Sequence, residues 1–247
     1  MSSDIIEPTT LVVRDNTIYD DTQPPVALYT ASQSLTSLPK GDISSIKFHR
    51  VAENDGKPDD SDPAAAGGKP LFYLVHPLHA DYRTDKPAYY MTSISRGGAG
   101  NIRLEASKPS FPAVKKAPQL TAHLSRNKSA DDSELFAAEE ELLFTIKSNW
   151  NGSTQTWTDA KGQEVAVQNS DDKSRLIASV KLEESVRDSL VAFWALCLWR
   201  EMAEHKDVKR EALEKLTPAQ PQGQGDGKMW KRTGAMGGFA AGGGGGG

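Results

Sequence analysis

The sequence predicts a mainly β protein, a closed antiparallel β-barrel of about 11–12 strands around a central hydrophobic C-terminal α-helix. Two observations lead there. The first is Leu190–Trp199, ten consecutive residues (Leu-Val-Ala-Phe-Trp-Ala-Leu-Cys-Leu-Trp) without a polar face. At about 100° per residue their side chains spread around the whole circumference of a helix. Such a helix must be buried on every side, in a membrane or in protein. Ten residues rise only about 15 Å, whereas a bilayer core needs roughly 20 apolar residues. Arg187-Asp188 and Arg200-Glu201 close the run at its two ends. The rest of the chain must therefore enclose it. The second observation is that most of the chain before residue 183 reads as short β segments separated by turn residues.

In order, the expected strands are Leu11–Arg14, Val26–Thr30, Ile43–Val51, Leu71–His76, Ala88–Ser95, Ile102–Ala106, Gln119–Leu124, Glu141–Lys147, Thr154–Thr158, Glu164–Gln168 and Arg175–Leu182. The last alternates cleanly. Leu176, Ala178, Val180 and Leu182 share one face while Arg175, Ser179 and Lys181 take the other, as in a sheet wet on one side. Asp159-Ala-Lys-Gly162 offers a type I turn ending in a left-handed glycine, joining Thr156–Thr158 to Val165–Val167. Arg96-Gly-Gly-Ala-Gly-Asn101 reads as a hairpin loop and not as a phosphate cradle, because no helix follows it. Asn54–Lys69, rich in Asp, Gly, Pro and Ala, reads as a long surface loop. Pro58 and the lack of a closing Glu break the spacing of a calcium loop. Ser107–Pro118 carries three prolines and cannot be a central strand.

Ser185-Val-Arg-Asp188 places a hydroxyl three residues before a carboxylate, the pattern of a capping box, so the central helix is expected over 185–199. Arg200–Leu216 holds five Lys/Arg and five Asp/Glu and is expected to continue as a solvated helix ended by Pro218. The resulting organisation is a disordered N-terminus over 1–8 and a barrel with its helix over 9–205. A helical extension over 206–216 and a disordered Gly-rich tail over 217–247 follow.

Composition narrows the function classes. Lys and Arg total 29 against 33 Asp and Glu, a net charge of −4 that argues against a nucleic-acid binder. The single cysteine, Cys197, lies inside the apolar run, so it is expected to be a small buried hydrophobe and not a reactive thiol. Met1–Glu7 shows neither the basic nor the apolar region of a secretory signal, and an intracellular, cytoplasmic location is expected. Gly-x-Ser-x-Gly, His-Glu-x-x-His and Gly-x-x-x-x-Gly-Lys are all absent, so the chain reads as a non-enzyme without a cofactor or metal. The rival is an enzyme using His76, His79 or His123 with Asp131 in a superficial groove. His76-Pro-Leu-His79 itself reads as a strand end and its turn, since residues three apart on a strand face opposite sides. Trp150, Trp157, Tyr73, Tyr89 and Tyr90 are strand aromatics expected to pack, not a stacking platform.

One charge asymmetry bears on function. From Arg96 to Lys128 seven basic residues (Arg96, Arg103, Lys108, Lys115, Lys116, Arg126, Lys128) stand against one acid, Glu105. The next segment, Asp131–Glu141, holds six acids. Gathered on one wall, the basic set would bind an anionic headgroup at about 1 kcal/mol per charge. Spread over solvated loops, it would be neutralised by those acids.

The layout, with Arg175–Leu182 as last strand and Asp188–Trp199 as threading helix, resembles the tubby C-terminal-like superfamily. That group includes the LURP-one-related proteins and the phospholipid scramblases, and the likeness spans roughly residues 9–205. The resemblance implies a barrel closed around a C-terminal helix and suggests peripheral binding of anionic lipid, phosphoinositide being the candidate it offers. No tubby-type phosphoinositide motif matches residue by residue, and the cysteine-rich and calcium-binding features of scramblases are missing. The competing expectation is a scaffold for protein partners that uses the exposed helix Arg200–Leu216.

Overall fold

The helix sets the size of everything around it. With side chains it is about 10–12 Å across, and an eight-stranded barrel is already filled by its own inward side chains. Twelve strands spaced about 4.8 Å apart and tilted about 40° give a backbone radius of about 12 Å, room for a helix and one layer of side chains. The computed structural model, described over residues 5–38, 44–51, 68–77, 86–107, 119–149 and 152–205, has that number in its closed barrel.

The strands are β1 (Ile5–Ile6), β2 (Thr10–Arg14), β3 (Thr17–Asp20), β4 (Val26–Ala31), β5 (Ser45–Arg50), β6 (Lys69–Val75) and β7 (Tyr90–Ser93). They continue as β8 (Asn101–Ala106), β9 (Leu120–Ser125), β10 (Glu141–Ser148), β11 (Thr154–Asp159), β12 (Glu164–Asn169), β13 (Arg175–Ala178) and β14 (Leu182–Glu183), followed by α1 (Glu184–Ala203). From β2 to β13 each strand pairs antiparallel with the next, and β13 pairs with β2 to close the ring. Closure leaves the barrel sheet itself without an edge strand. The chain divides into a unit spanning Met1–Val208 and a second, Lys209–Gly247, which lies outside the described residues.

The barrel strand that the sequence pattern does not predict is β3. Arg14 pairs with Thr17 across a two-residue turn in which Asp15 takes a φ of 56°. Aspartate tolerates that left-handed region because its side chain bonds locally, so Asp15-Asn16 was the available hairpin signal. The turn at Asp159–Gly162 forms as expected, with Gly162 at φ 79° and the Asp159 carboxylate accepting from the N–H groups of Lys161 and Gln163, each at 2.9 Å. In the Arg96–Asn101 loop Gly100 sits at φ 105°, where a Cβ would lie 2.5 Å from the Ser125 carbonyl oxygen, so glycine is required there.

Five expected boundaries move. The segment 175–182 is not one strand: β13 ends at Ala178, and β14 leaves the barrel to pair with β1. Ile5–Ile6 therefore belongs to the fold and not to a disordered terminus, because β14 needs partners for its backbone groups. Lys69 opens β6 instead of closing a loop. The helix starts at Glu184 with Glu183 as its N-cap and no side-chain cap bond. Ser185 is thus inside the first turn, where its carbonyl accepts from the Ser189 hydroxyl at 2.8 Å, and no capping box forms. At the far end α1 stops at Ala203, not beyond, with the Glu204 N–H bonded to the Arg200 carbonyl at 2.8 Å. The expected extension over 206–216 and tail over 217–247 lie outside the described residues.

From Asp188 to Trp199 every residue except Cys197 is buried, and the apolar ones share one cluster with inward side chains of the strands. Those twelve residues rise about 18 Å, close to the height of a barrel of six-residue strands at that tilt. Contacts reach the helix from separate walls. Trp157 of β11 meets Phe193 edge-on at 5.9 Å, and Tyr89, just before β7, meets Trp199 edge-on at 6.4 Å. Outside the barrel, the acidic segment after β9 packs over β7, with Phe136 edge-on to Tyr90 at 5.5 Å. Asn101 anchors that segment by donating to the carbonyls of Ser129 at 3.1 Å and Leu135 at 2.7 Å. This cover explains why all four residues of β7 are buried. None of the described helices is long and apolar enough to cross a membrane.

Candidate functional site at the two mouths of the barrel

Because α1 fills the interior, chemistry is confined to the two mouths and the outer wall. An antiparallel ring sorts its strand ends. The end where α1 enters gathers Val26, Arg50, Lys69, Ser125 and Glu141; the end where it exits gathers Ala31, Val75, Leu120, Ser148 and Arg175.

At the entry end Arg50 of β5 pairs with both Glu184 and Asp188 of the helix, its Nε donating to Asp188 Oδ1 at 3.2 Å. The Tyr29 hydroxyl donates to the same Oδ1 at 2.9 Å. Asp188 is only 5% exposed, so it does not close the apolar run at the surface as the sequence suggests. One carboxylate turned into the barrel and met by a cation and a hydroxyl fixes the rotation and height of an otherwise featureless helix. Arg50, Asp188 and Tyr29 lie far apart in the chain, and no spacing rule marks them. Burial, then the Asp188 carboxylate, raise the Tyr29 hydroxyl pKa above the usual tyrosine value of about 10. A pKa raised by folding supplies stability that is complete below the unfolded value and is lost as pH rises through the folded one. Wild type should thus lose stability above about pH 10, and Tyr29→Phe should flatten that limb; denaturation midpoints in alkaline buffers check it.

The structure splits the basic set. Arg96, Arg126 and Lys128 all stand at the entry end, on the segments following β7 and β9. Arg96 is 74% exposed and faces Asp132 at 3.3 Å, and Arg126 is 63% exposed and faces Glu141 at 2.7 Å. Lys128 is half-buried and its charge helps lower the Asp132 pKa, after the hydrogen bonds from Ser129. A cleft of about 490 Å³ beside them is lined by Lys69, Arg126, Glu184 and Asp188 among others. Arg103 is elsewhere, on the outer face of β8, bridged to Glu105 at 3.1 Å and Glu140 at 2.5 Å. Lys108, Lys115 and Lys116 lie outside the described residues; the strand ends that flank them, Ala106 and Leu120, belong to the exit end. One continuous basic wall does not form among the described residues, since β8 carries Arg103 away from the rim.

The entry end also carries most of the exposed large apolar side chains among the described residues. Ile5 at 67% and Val26 at 54% stand there with Leu142, and Ile177 lies next to the last residue of β13.

At the exit end Trp199, His76 and Tyr89 seal one side. His76 stacks on Tyr89 at 4.2 Å, and its Nδ1 meets the Ala88 carbonyl at 2.7 Å, so this ring is a packing element. His79 lies outside the described residues. His123 faces outward from β9 and meets Glu105 at 3.4 Å, so the carboxylate beside it is not Asp131. Among the described residues no group of three His, Cys, Asp or Glu side chains is placed to hold a metal. Tyr90 and Trp157 on their strands, and Tyr89 just before β7, are buried packing residues; Tyr73 of β6 is half-buried, and Trp150 lies outside the described residues. Opposite the Trp199 seal, a second cleft of about 620 Å³ opens between the last turns of α1 and β9–β12. Cys197 lies in it and is partly exposed, against the expectation of full burial. Burial of the sulfur pushes its thiol up to about 12, which makes it unreactive near neutrality.

Compared with family models, with curated proteins and with solved structures, the chain matches none.

Proposed function

We propose that this chain is a non-enzymatic binding protein that meets anionic membrane lipid, such as a phosphoinositide, through the entry end of its barrel. The observation that carries this reading is the company kept there. Exposed cations (Arg96, Arg126) and exposed apolar side chains (Ile5, Val26, Leu142) share one end. That pairing suits headgroup attraction combined with shallow insertion. The ion pairs that hold Arg96 and Arg126 are exposed, and such pairs contribute about 0–1 kcal/mol, so a phosphate group can compete for either guanidinium. The helix occupies the space in which a barrel enzyme would hold substrate, which supports a surface role. The tubby-like resemblance, with its barrel around a helix, supports the same ligand class.

Arg96 and Arg126 with the half-buried Lys128, at about 1 kcal/mol each, give weak, reversible binding. Co-sedimentation should therefore show capture by phosphatidylcholine vesicles doped with phosphatidylserine or phosphoinositide, little by phosphatidylcholine alone, and release by salt. The double reversal Arg96→Glu/Arg126→Glu should weaken capture by about tenfold or more. Capture that ignores anionic lipid, or survives the double reversal and high salt, would remove the lipid reading. A protein partner at the same rim would then be the surviving occupant.

A further inference from the structure

We infer that the cleft at the exit end is a binding site for a small uncharged molecule with an apolar body and a hydrogen-bonding head. The cleft exists because of one small residue. A turn earlier on the same face of α1, Phe193 fills the space against Trp157 of β11. At Cys197 a thiol stands where a ring would be needed to continue that packing. On the opposite flank Trp199 closes the mouth against His76 and Tyr89, so the opening is one-sided. Its floor is apolar, made of Leu120, Ile146, Cys197 and Leu198, and its wall carries the neutral polar groups of Ser148, Gln155 and Gln168. Gln168 is buried and donates Nε2 to the Lys173 carbonyl at 2.8 Å, which fixes its amide in place.

Among the described residues the Lys and Arg charges at the rim are paired. Lys173 bridges Glu201, and Arg200 Nε donates to Glu204 Oε1 at 2.9 Å. A charged ligand would have to displace one of these partners; a neutral one need not. The volume of about 620 Å³ falls in the range of about 300–1,000 Å³ typical of small-molecule sites.

N-phenyl-1-naphthylamine, an uncharged fluorophore, tests this on the full chain. Its emission should rise saturably with a single site. 8-Anilinonaphthalene-1-sulfonate, nearly the same molecule with an anionic group, should bind about tenfold more weakly or worse, since the cleft offers its sulfonate no unpaired Lys or Arg among the described residues. Cys197→Trp should fill the floor and abolish binding of the neutral probe. Ser148→Trp on the wall should do the same without altering the helix, so it decides the matter if Cys197→Trp does not fold. Arg96→Glu/Arg126→Glu, at the other end, should leave probe binding unchanged, which separates this site from the membrane-facing rim. Binding that persists in a folded Ser148→Trp protein, that is not saturable, or that is as tight for the sulfonate would overturn the inference.

Discussion

Trp194→Asp is expected to abolish the folded barrel. Trp194 is fully buried at the middle of α1. Loss of the indole alone costs about 3–5 kcal/mol, and a carboxylate left there without a partner costs several more. Together these are comparable to the roughly 5–15 kcal/mol by which domains are usually stable. Trp194→Phe is the informative companion. The Trp194 Nε1 is buried with no hydrogen-bond partner among the described residues. Phenylalanine removes that unsatisfied donor, worth about 1–3 kcal/mol, and so offsets much of the volume it gives up. Near-UV circular dichroism and thermal melts should show an unfolded or molten aspartate variant beside a near-native phenylalanine one. A soluble aspartate variant with an unchanged melt would contradict a helix enclosed on every side.

The second large effect is expected at the entry mouth. Asp188→Ala should destabilise the protein by about 3–5 kcal/mol, because it leaves Arg50 half-paired and the buried Tyr29 hydroxyl without its acceptor. Arg50→Ala strands the Asp188 carboxylate in the barrel with Tyr29 as its remaining donor, a cost of similar order reduced by the partial exposure of Arg50. The double variant should lose less than the sum, since neither group is then left alone. Urea midpoints for the four proteins close the cycle. Strict additivity would mean that the pair does not hold the helix in register.

How much of this was legible follows from what each signal depends on. The all-apolar run Leu190–Trp199 fixed the existence of an enclosed helix, because a ten-residue run with no polar face has no other soluble solution. Alternation and turn residues marked eleven of the twelve barrel strands, since both are local properties of the chain. Four-residue β3 escaped because it is too short to show a period, and its turn, Asp15-Asn16, lacks glycine.

The candidate sites were less legible. The basic stretch Arg96–Lys128 was visible as composition, but only folding separates Arg96, Arg126 and Lys128 at one rim from Arg103 on the outer wall. Its distribution depends on which end of the ring each strand reaches. The same holds for Asp188: in sequence it borders an apolar helix, and in the barrel it is buried against Arg50 and Tyr29, far from it in the chain. That a barrel must surround a helix is local information, because hydrophobic periodicity is written residue by residue. Where that helix stops, which charge pins it, and where the packing leaves a cleft beside Cys197 emerge only once the ring is closed. Those features arise from side chains brought together across the ring, and no local pattern encodes such encounters.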